Sequence, residues 1–175
     1  MIQIARPAPT EHAEYYYNYV GQVPGDDALS HLVAQAAVTH DLLVGVGEER
    51  SAYRYASGKW SIKQVVGHMI DGERLFSYRA LAFARRDQGA LPSMEQDEWM
   101  AAADFDERSF ASVVEEFRCV RAATIPFFTS LSKDALTRTG VASGNRFTVR
   151  SLVWIVAGHE MHHLRILRDR YGVHA

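Results

Sequence analysis

The chain has 175 residues, 47% of them hydrophobic, with a net charge of −2 and a sequence pI near 6.4. That length can bury one full core, and one domain spanning residues 1–175 is expected. The near-neutral charge excludes a general polyanion-binding surface, so no nucleic-acid partner is expected. The single cysteine, Cys119, excludes an intramolecular disulfide framework and fits a reducing compartment. The N-terminus lacks the apolar core of a signal peptide, and no apolar run approaches ~18 residues, so no membrane partner and a cytoplasmic location are expected.

Residues 1–10 carry Pro7 and Pro9 and read as an extended lead-in. Glu11 to Tyr19 predicts a short helix, with Tyr15, Tyr16, Tyr17 and Tyr19 as amphipathic rings suited to a packing lid. Val23-Pro24-Gly25-Asp26 is a turn, with Asp26 or Asp27 as N-cap. The first long helix runs to about Val44 on the stripe Leu29, Leu32, Val33, Ala36 and Leu43, and Gly45 and Gly47 end it. His40 lies on that stripe and reads as a core histidine, or one supporting a ligand, before a ligand itself. A polar connection over 48–60 leads to the second long helix. Ser61 and Gln64 form its capping box, and Trp60 faces Val65 as a hydrophobic staple. That helix continues to about Arg86 and carries His68 and, at i+3, Asp71.

Residues 88–108 form a long link, a lid or a crossover, with one helical turn near Glu98–Ala102. The third long helix begins near Ser109, and Pro126 kinks or ends it. Cys119 falls off its apolar stripe and reads as an inert thiol. Residues 132–147, with Ser143-Gly144-Asn145, hold a tight turn or a small hairpin. The fourth long helix spans Thr148 to Tyr171, with Phe147 and Leu152 placed for a second staple.

That last helix contains Gly158-His159-Glu160-Met161-His162-His163. Three imidazoles within five residues are unexpected in a chain with 8 histidines in 175. His159 and His163, at i and i+4, share one face of a helix, a spacing at which two imidazoles can hold one metal. Their neighbours Leu152, Ile155, Val156, Ile166 and Leu167 are apolar, and a histidine pair facing a core needs partners, which a metal supplies. The letters also spell the zincin His-Glu-x-x-His signature, in which the glutamate is the base. The metzincin extension, however, needs glycine at 166 and histidine at 169, where Ile166 and Asp169 stand. The third ligand must therefore come from upstream. His68 lies 7 residues after Ser61 and His163 lies 8 residues before Tyr171. At about 1.5 Å per residue the two share a level only if the second and fourth helices run antiparallel. The expectation is an all-α four-helix bundle with a His68/His159/His163 triad near one end.

These residues resemble the DinB/YfiT-like superfamily. The resemblance rests on Trp60-Ser61 with His68, on Asp71-x-Glu73, Tyr78-Arg79-Ala80-Leu81 and Arg86-Asp87, and on Gly158-His159-Glu160-x-His162-His163. It extends from about Arg6 to Tyr171. It implies a DinB-like bundle of up-down-down-up order, often a homodimer. It also implies a divalent metal, nickel or zinc most often, on three histidines matching His68, His159 and His163. Some members transfer low-molecular-weight thiols such as bacillithiol or mycothiol to electrophiles; others are described as metal-dependent hydrolases.

Three neutral imidazoles leave a metal with open positions, the pattern of a catalytic site. Such a metal could make hydroxide from water or hold a thiol as thiolate. Glu160 points about 100° away from His159 and is a poor candidate for the base. Asp71, one turn from His68, is the better candidate to support the ligands; equally, it could pair with Arg74 or Arg79 as a salt bridge. His162 sits at the rim as a fallback ligand. The functions to separate are a metal-dependent thiol S-transferase, a metal-dependent hydrolase and a non-catalytic stress-response module.

Overall fold

The computed structural model describes residues 2–174; Met1 and Ala175, the two ends of the expected domain, lie outside the described residues. Two short 3₁₀ turns, Pro9–Glu11 and Glu14–Tyr16, precede α1 (Tyr17–Gln22). The first long helix is α2 (Ala28–Val44), whose N-cap Asp27 accepts from the Leu29 backbone. A single turn, α3 (Glu48–Ser51), lies inside the polar connection over 48–60. The second long helix, α4 (Ile62–Ala84), opens on a complete capping box between Ser61 and Gln64. Then come α5 (Gln96–Ala102), α6 (Phe110–Thr129) capped by Ser109, and α7 (Lys133–Thr137). The hairpin β1 (Thr139–Ala142) and β2 (Asn145–Thr148) is antiparallel. Its turn residues Ser143 and Gly144 both have positive φ, 50° and 71°, as a type I′ turn requires. The chain ends in α8 (Val149–Tyr171), capped by Thr148 at its start and by left-handed Gly172 at its end.

The bundle order follows from which ends meet. Lys63 near the start of α4 hydrogen-bonds the Arg108 carbonyl just before α6, and Arg74 pairs with Glu116, so α4 and α6 run parallel. Thr39 of α2 bonds Glu160 of α8 and Arg50 reaches the carbonyls of Tyr171 and Gly172, so α2 and α8 run parallel. His68 of α4 meets His163 of α8, while Arg79, three turns later, bonds Ser143 just before α8, so these two are antiparallel. The order is therefore up-down-down-up, with α2 and α4 on one diagonal.

Two apolar clusters fill the bundle. One gathers Phe83, Phe128, Phe147 and Trp154; the other gathers Leu43, Ile62, Phe105 and Phe117. Between them every long helix contributes polar residues at one level: Thr39, His68 and Glu73, Arg121, and His159, Glu160 and His163, all buried. Buried polar groups are stable only when partnered, so this layer needs an account residue by residue.

Several expectations change in detail. The helix carrying Pro126 continues to Thr129, so the proline does not end it. The α4 helix stops at Ala84, two residues before Arg86. On α2, Val33 is exposed at 40% and the buried stripe is Leu29, Leu32, Thr39 and Leu43, so burial follows the neighbours of each position and not hydrophobicity alone. His40 is not a core residue; half-exposed, it pairs with exposed Asp41 on the outer edge of α2.

Candidate metal centre

The triad forms where α4 and α8 cross the polar layer. His159 Nε2 stands 3.1 Å from His68 Nε2 and 3.1 Å from His163 Nε2. The donor atoms of His68, His159 and His163 all lie within 4.8 Å of one another, and all three residues are buried. Two imidazoles bound to one ion at ~2.0–2.1 Å, at angles between square and tetrahedral, stand about 2.8–3.4 Å apart. The observed spacing fits. Burial lowers the pKa of all three: His68 to about 4, and His159 and His163 well below their ordinary value. The rings are therefore neutral near pH 7 and offer lone pairs. Without an ion, two close Nε2···Nε2 contacts can each be bridged by one proton only; a cation satisfies all three lone pairs together.

The positions of the rings are enforced by what surrounds them. Gly72, one turn after His68, leaves room for His159: a Cβ there would stand 2.6 Å from His159 Cε1. Trp60 packs on His68 with ring centroids 5.0 Å apart, and Tyr19 and Phe76 face His159 at 5.7 and 5.8 Å. Tyr19 can approach because residue 158 is glycine; a Cβ there would lie 2.1 Å from the Tyr19 carbonyl oxygen. The tyrosine-rich segment is thus docked beside the site, with Tyr15 and Tyr19 bordering the clefts that open on it.

The carboxylates go elsewhere. Glu160 turns to the opposite side of α8, where Oε1 accepts from Thr39 at 2.6 Å and Oε2 from Arg121 at 3.0 Å. Arg121 also donates to both oxygens of Glu73, at 2.8–3.2 Å. Burial by itself lowers a guanidinium pKa, yet Glu160 and Glu73 hold that of Arg121 above its ordinary value. Asp71 is half-buried beside Arg74 at 4.0 Å, and burial raises its pKa. His162 is half-buried against Tyr19, with ring centroids 5.0 Å apart, and its donors are not among the converging set. Cys119 is exposed on α6, next to Glu115 and Arg118.

Two clefts open on the triad. One, of about 300 Å³, is lined by His68, His159, Tyr16, Phe76 and Arg79 among others. The second, of about 570 Å³, is lined by His163, His162, Trp60, Lys59 and Asp97 among others. Tyr15, Tyr19 and Gln96 border both. The sequence reading missed Arg79, Gln96 and Asp97 as cleft residues, and Arg121 as the centre of the ion network. For Arg79 a signal existed: eleven residues place it within about 20° of His68 on α4. For Arg121 none did, since its partners lie 48 and 39 residues away.

A mostly helical up-down-down-up bundle with a buried histidine triad at one level defines the class of protein. The sequence profile of the DinB superfamily matches residues 31–167, and the chain belongs to that superfamily. A curated relative from Oceanobacillus iheyensis, named "Putative metal-dependent hydrolase", is 26% identical over 121 residues, covering 68% of this chain and 69% of the relative. Among solved structures, YfiT from Bacillus subtilis aligns with a TM-score of 0.71 at 16% identity, over 84% of this chain and 87% of YfiT. The mycothiol-dependent maleylpyruvate isomerase aligns with a TM-score of 0.68 at 12% identity. This chain spans 64% of the isomerase's length, with 89% of its own length covered. At these identities the two structures show a shared fold.

Proposed function

We propose that the protein holds one divalent metal ion, nickel or zinc, on Nε2 of His68, His159 and His163, and transfers a low-molecular-weight thiol to a small electrophile. The observation that carries this reading is the convergence of three buried, neutral imidazoles, while the carboxylates nearest them on α4 and α8 are engaged with arginines and Asp97 lines only the larger cleft. Glu160 and Glu73 are held by Arg121, and Asp71 faces Arg74. An ion on this set supplies a Lewis acid with open positions, at which a thiol is acidified without help from a general base.

The chain's own residues do the rest. His68, His159 and His163 fix the donor geometry. Trp60, Tyr19 and Phe76 wall the site with rings, exclude water from two sides and strengthen the local field. The two clefts give the thiol and the electrophile separate approaches. In the transfer, the thiol proton leaves to solvent and sulfur bonds to the electrophilic carbon; the bond from that carbon to its leaving group breaks and the group departs with the pair, or, in an addition, the π pair moves to the neighbouring atom, which takes a proton from solvent. The dependence of the isomerase neighbour on mycothiol supports the same substrate class. A homodimer in the cytoplasm completes the proposal; light scattering of the purified protein tests the dimer.

Hydrolysis is the second reading. It is favoured by Asp97, which lines the larger cleft together with His163, and by the metal-dependent hydrolase name of the Oceanobacillus relative. Elemental analysis alongside a thiol-conjugation screen with simple electrophiles separates the readings. Thiol transfer predicts about one ion per chain, lost in His68→Ala together with conjugation. Ester or amide cleavage that depends on metal, with no conjugation by any thiol, moves the assignment to hydrolysis. Metal without either activity leaves the non-catalytic module.

A further inference from the structure

Arg79 is 1% exposed and ranks among the largest fully buried side chains. Its Nη2 donates to the Pro92 carbonyl at 2.7 Å and to Ser143 Oγ at 3.0 Å. The Tyr16 hydroxyl lies beside the guanidinium, and Phe76 packs 5.8 Å from its centre. Nε has no hydrogen-bond partner, and no carboxylate pairs with this arginine among the described residues. A guanidinium stays protonated, so a full positive charge is buried here against neutral groups only, a costly arrangement. Burial lowers the Arg79 pKa, opposed by Tyr16. Arg121 is buried to the same degree and has two carboxylates.

The location gives the unpaired charge a use. Arg79 lines the 300 Å³ cleft with His68 and His159, on the same face of α4 as His68. That volume is at the lower end of small-molecule sites. Its wall has an aromatic side, Tyr16 and Phe76, and one cation at the end away from the triad. The hairpin turn and the 85–95 link hold the guanidinium in place through Ser143 and Pro92.

We propose that Arg79 binds the carboxylate of a small organic acid lying in this cleft, with the acid's other end at the histidine triad. The electrophile in the reaction proposed above is then a carboxylic acid, an assignment that rests on that reading for the chemistry though not for the binding. A guanidinium recognises a carboxylate through two parallel N–H···O bonds, and charge-assisted bonds in a site shielded from water are the strong ones. The occupant's carboxylate supplies the counter-charge that the fold omits.

Calorimetry of the full-length protein, metal-loaded and chelator-treated, tests this with straight-chain carboxylates from acetate to hexanoate and their matched amides. In wild type, an acid is expected to bind at least about tenfold more tightly than its amide, with or without metal. Arg79→Lys and Arg79→Gln are expected to remove at least about tenfold of that preference while metal content is unchanged. Equal binding of acid and amide by wild type overturns the proposal, and that comparison needs no variant to fold. Preference for acids that vanishes on metal removal and survives in Arg79→Gln also overturns it, by placing the anion on the metal. Inorganic phosphate binding as tightly as the carboxylates, through Arg79, overturns the assignment to organic acids. Failure of the metal reading shows separately, as absent metal with carboxylate binding intact.

Discussion

The polar layer has two halves that share α4 and α8, and they differ in whether they close on themselves. In one half Glu73, Glu160, Arg121 and Thr39 answer one another, with the carboxylates and the guanidinium each bonded at least twice. In the other half His159 Nε2 stands 3.1 Å from Nε2 of both His68 and His163, and the three imidazoles have one another as their close polar neighbours. His159 and Glu160 are consecutive, yet the helical step of about 100° sends one to each half. A buried group that is fully answered inside the protein holds the fold. A buried group left unanswered beside a cleft is available to something else. Arg79 repeats the second pattern at the far end of the smaller cleft.

Breaking the closed half should produce the largest effect. Arg121→Met leaves two carboxylates buried without a counter-charge and is expected to cost about 3–5 kcal/mol of stability. Arg79→Met, at equal burial, removes an unpaired charge and is expected to cost less than about 1 kcal/mol. Urea denaturation midpoints of the two variants measure the difference. Equal losses would show that the ion network is not what separates these arginines. Replacing Arg121, Glu73 and Glu160 together with Met and Leu should recover most of the Arg121→Met loss, since no charge is then left alone.

Breaking the open half should spare the fold and empty it of metal. His163→Ala is expected to lose most of the bound ion, while His162→Ala retains most of it, because His163 stacks over His159 and His162 turns toward Tyr19. Elemental analysis after gel filtration decides; equal losses would mean that both imidazoles ligate. Gly72→Ala sharpens the same point without touching a ligand. Its methyl group would meet His159 Cε1 at 2.6 Å, so the ring must move. Metal affinity is expected to fall about 10–100-fold, the range seen when ligand orientation is disturbed.

Much of the open half was legible because helical periodicity carries it. The i, i+4 pair His159/His163 fixes a face, and matched distances from the helix ends fix the level of His68. The cap at Ser61 and the helix starts at Ser109 and Thr148 were equally readable, since each depends on residues within one turn. The closed half was not. Glu160 was correctly turned away from the triad, but nothing within a turn announces that Arg121 will meet it. His40 was misplaced for a related reason: a period places a side chain on a stripe, while burial depends on which helix covers that stripe. Gly72 and Gly158 show the same limit, because their need for a missing Cβ appears only once His159 and Tyr19 have been packed against them.

Acid should distinguish the halves by slope. The triad's folded pKa values lie below the unfolded value of ~6.5, with His68 at about 4. The folded metal-free protein therefore binds fewer protons than the unfolded chain between these limits. Stability is present in full above pH ~6.5 and falls as pH drops toward 4. Glu160, with its pKa raised by burial, titrates in the opposite sense. Replacing His68 with Phe removes one of the depressed groups, so the fall between pH 6.5 and 4 should be shallower than in wild type. Urea midpoints across that interval, measured on chelator-treated protein, check it; an unchanged slope would mean that His68 is not held neutral by the fold.

The smallest effect is expected at Cys119, and it decides whose sulfur does the chemistry. The chain's only thiol is exposed on α6, with Sγ 3.4 Å from Glu115 and 3.8 Å from Arg118. It lines neither cleft that meets the triad. A reactive cysteine sits in an electropositive pocket next to its substrate; this one sits beside a carboxylate on the outer surface. Cys119→Ser should therefore leave stability within about 0.5 kcal/mol and the rate of thiol conjugation unchanged. His68→Ala should abolish the same conjugation, because the proposed nucleophile is the substrate's own thiol, acidified at the triad. Conjugation rates for wild type and the two variants, with one small thiol and one electrophile, make the comparison. A loss in Cys119→Ser equal to that in His68→Ala would place the chain's own sulfur in the reaction and remove the need for open positions on the metal.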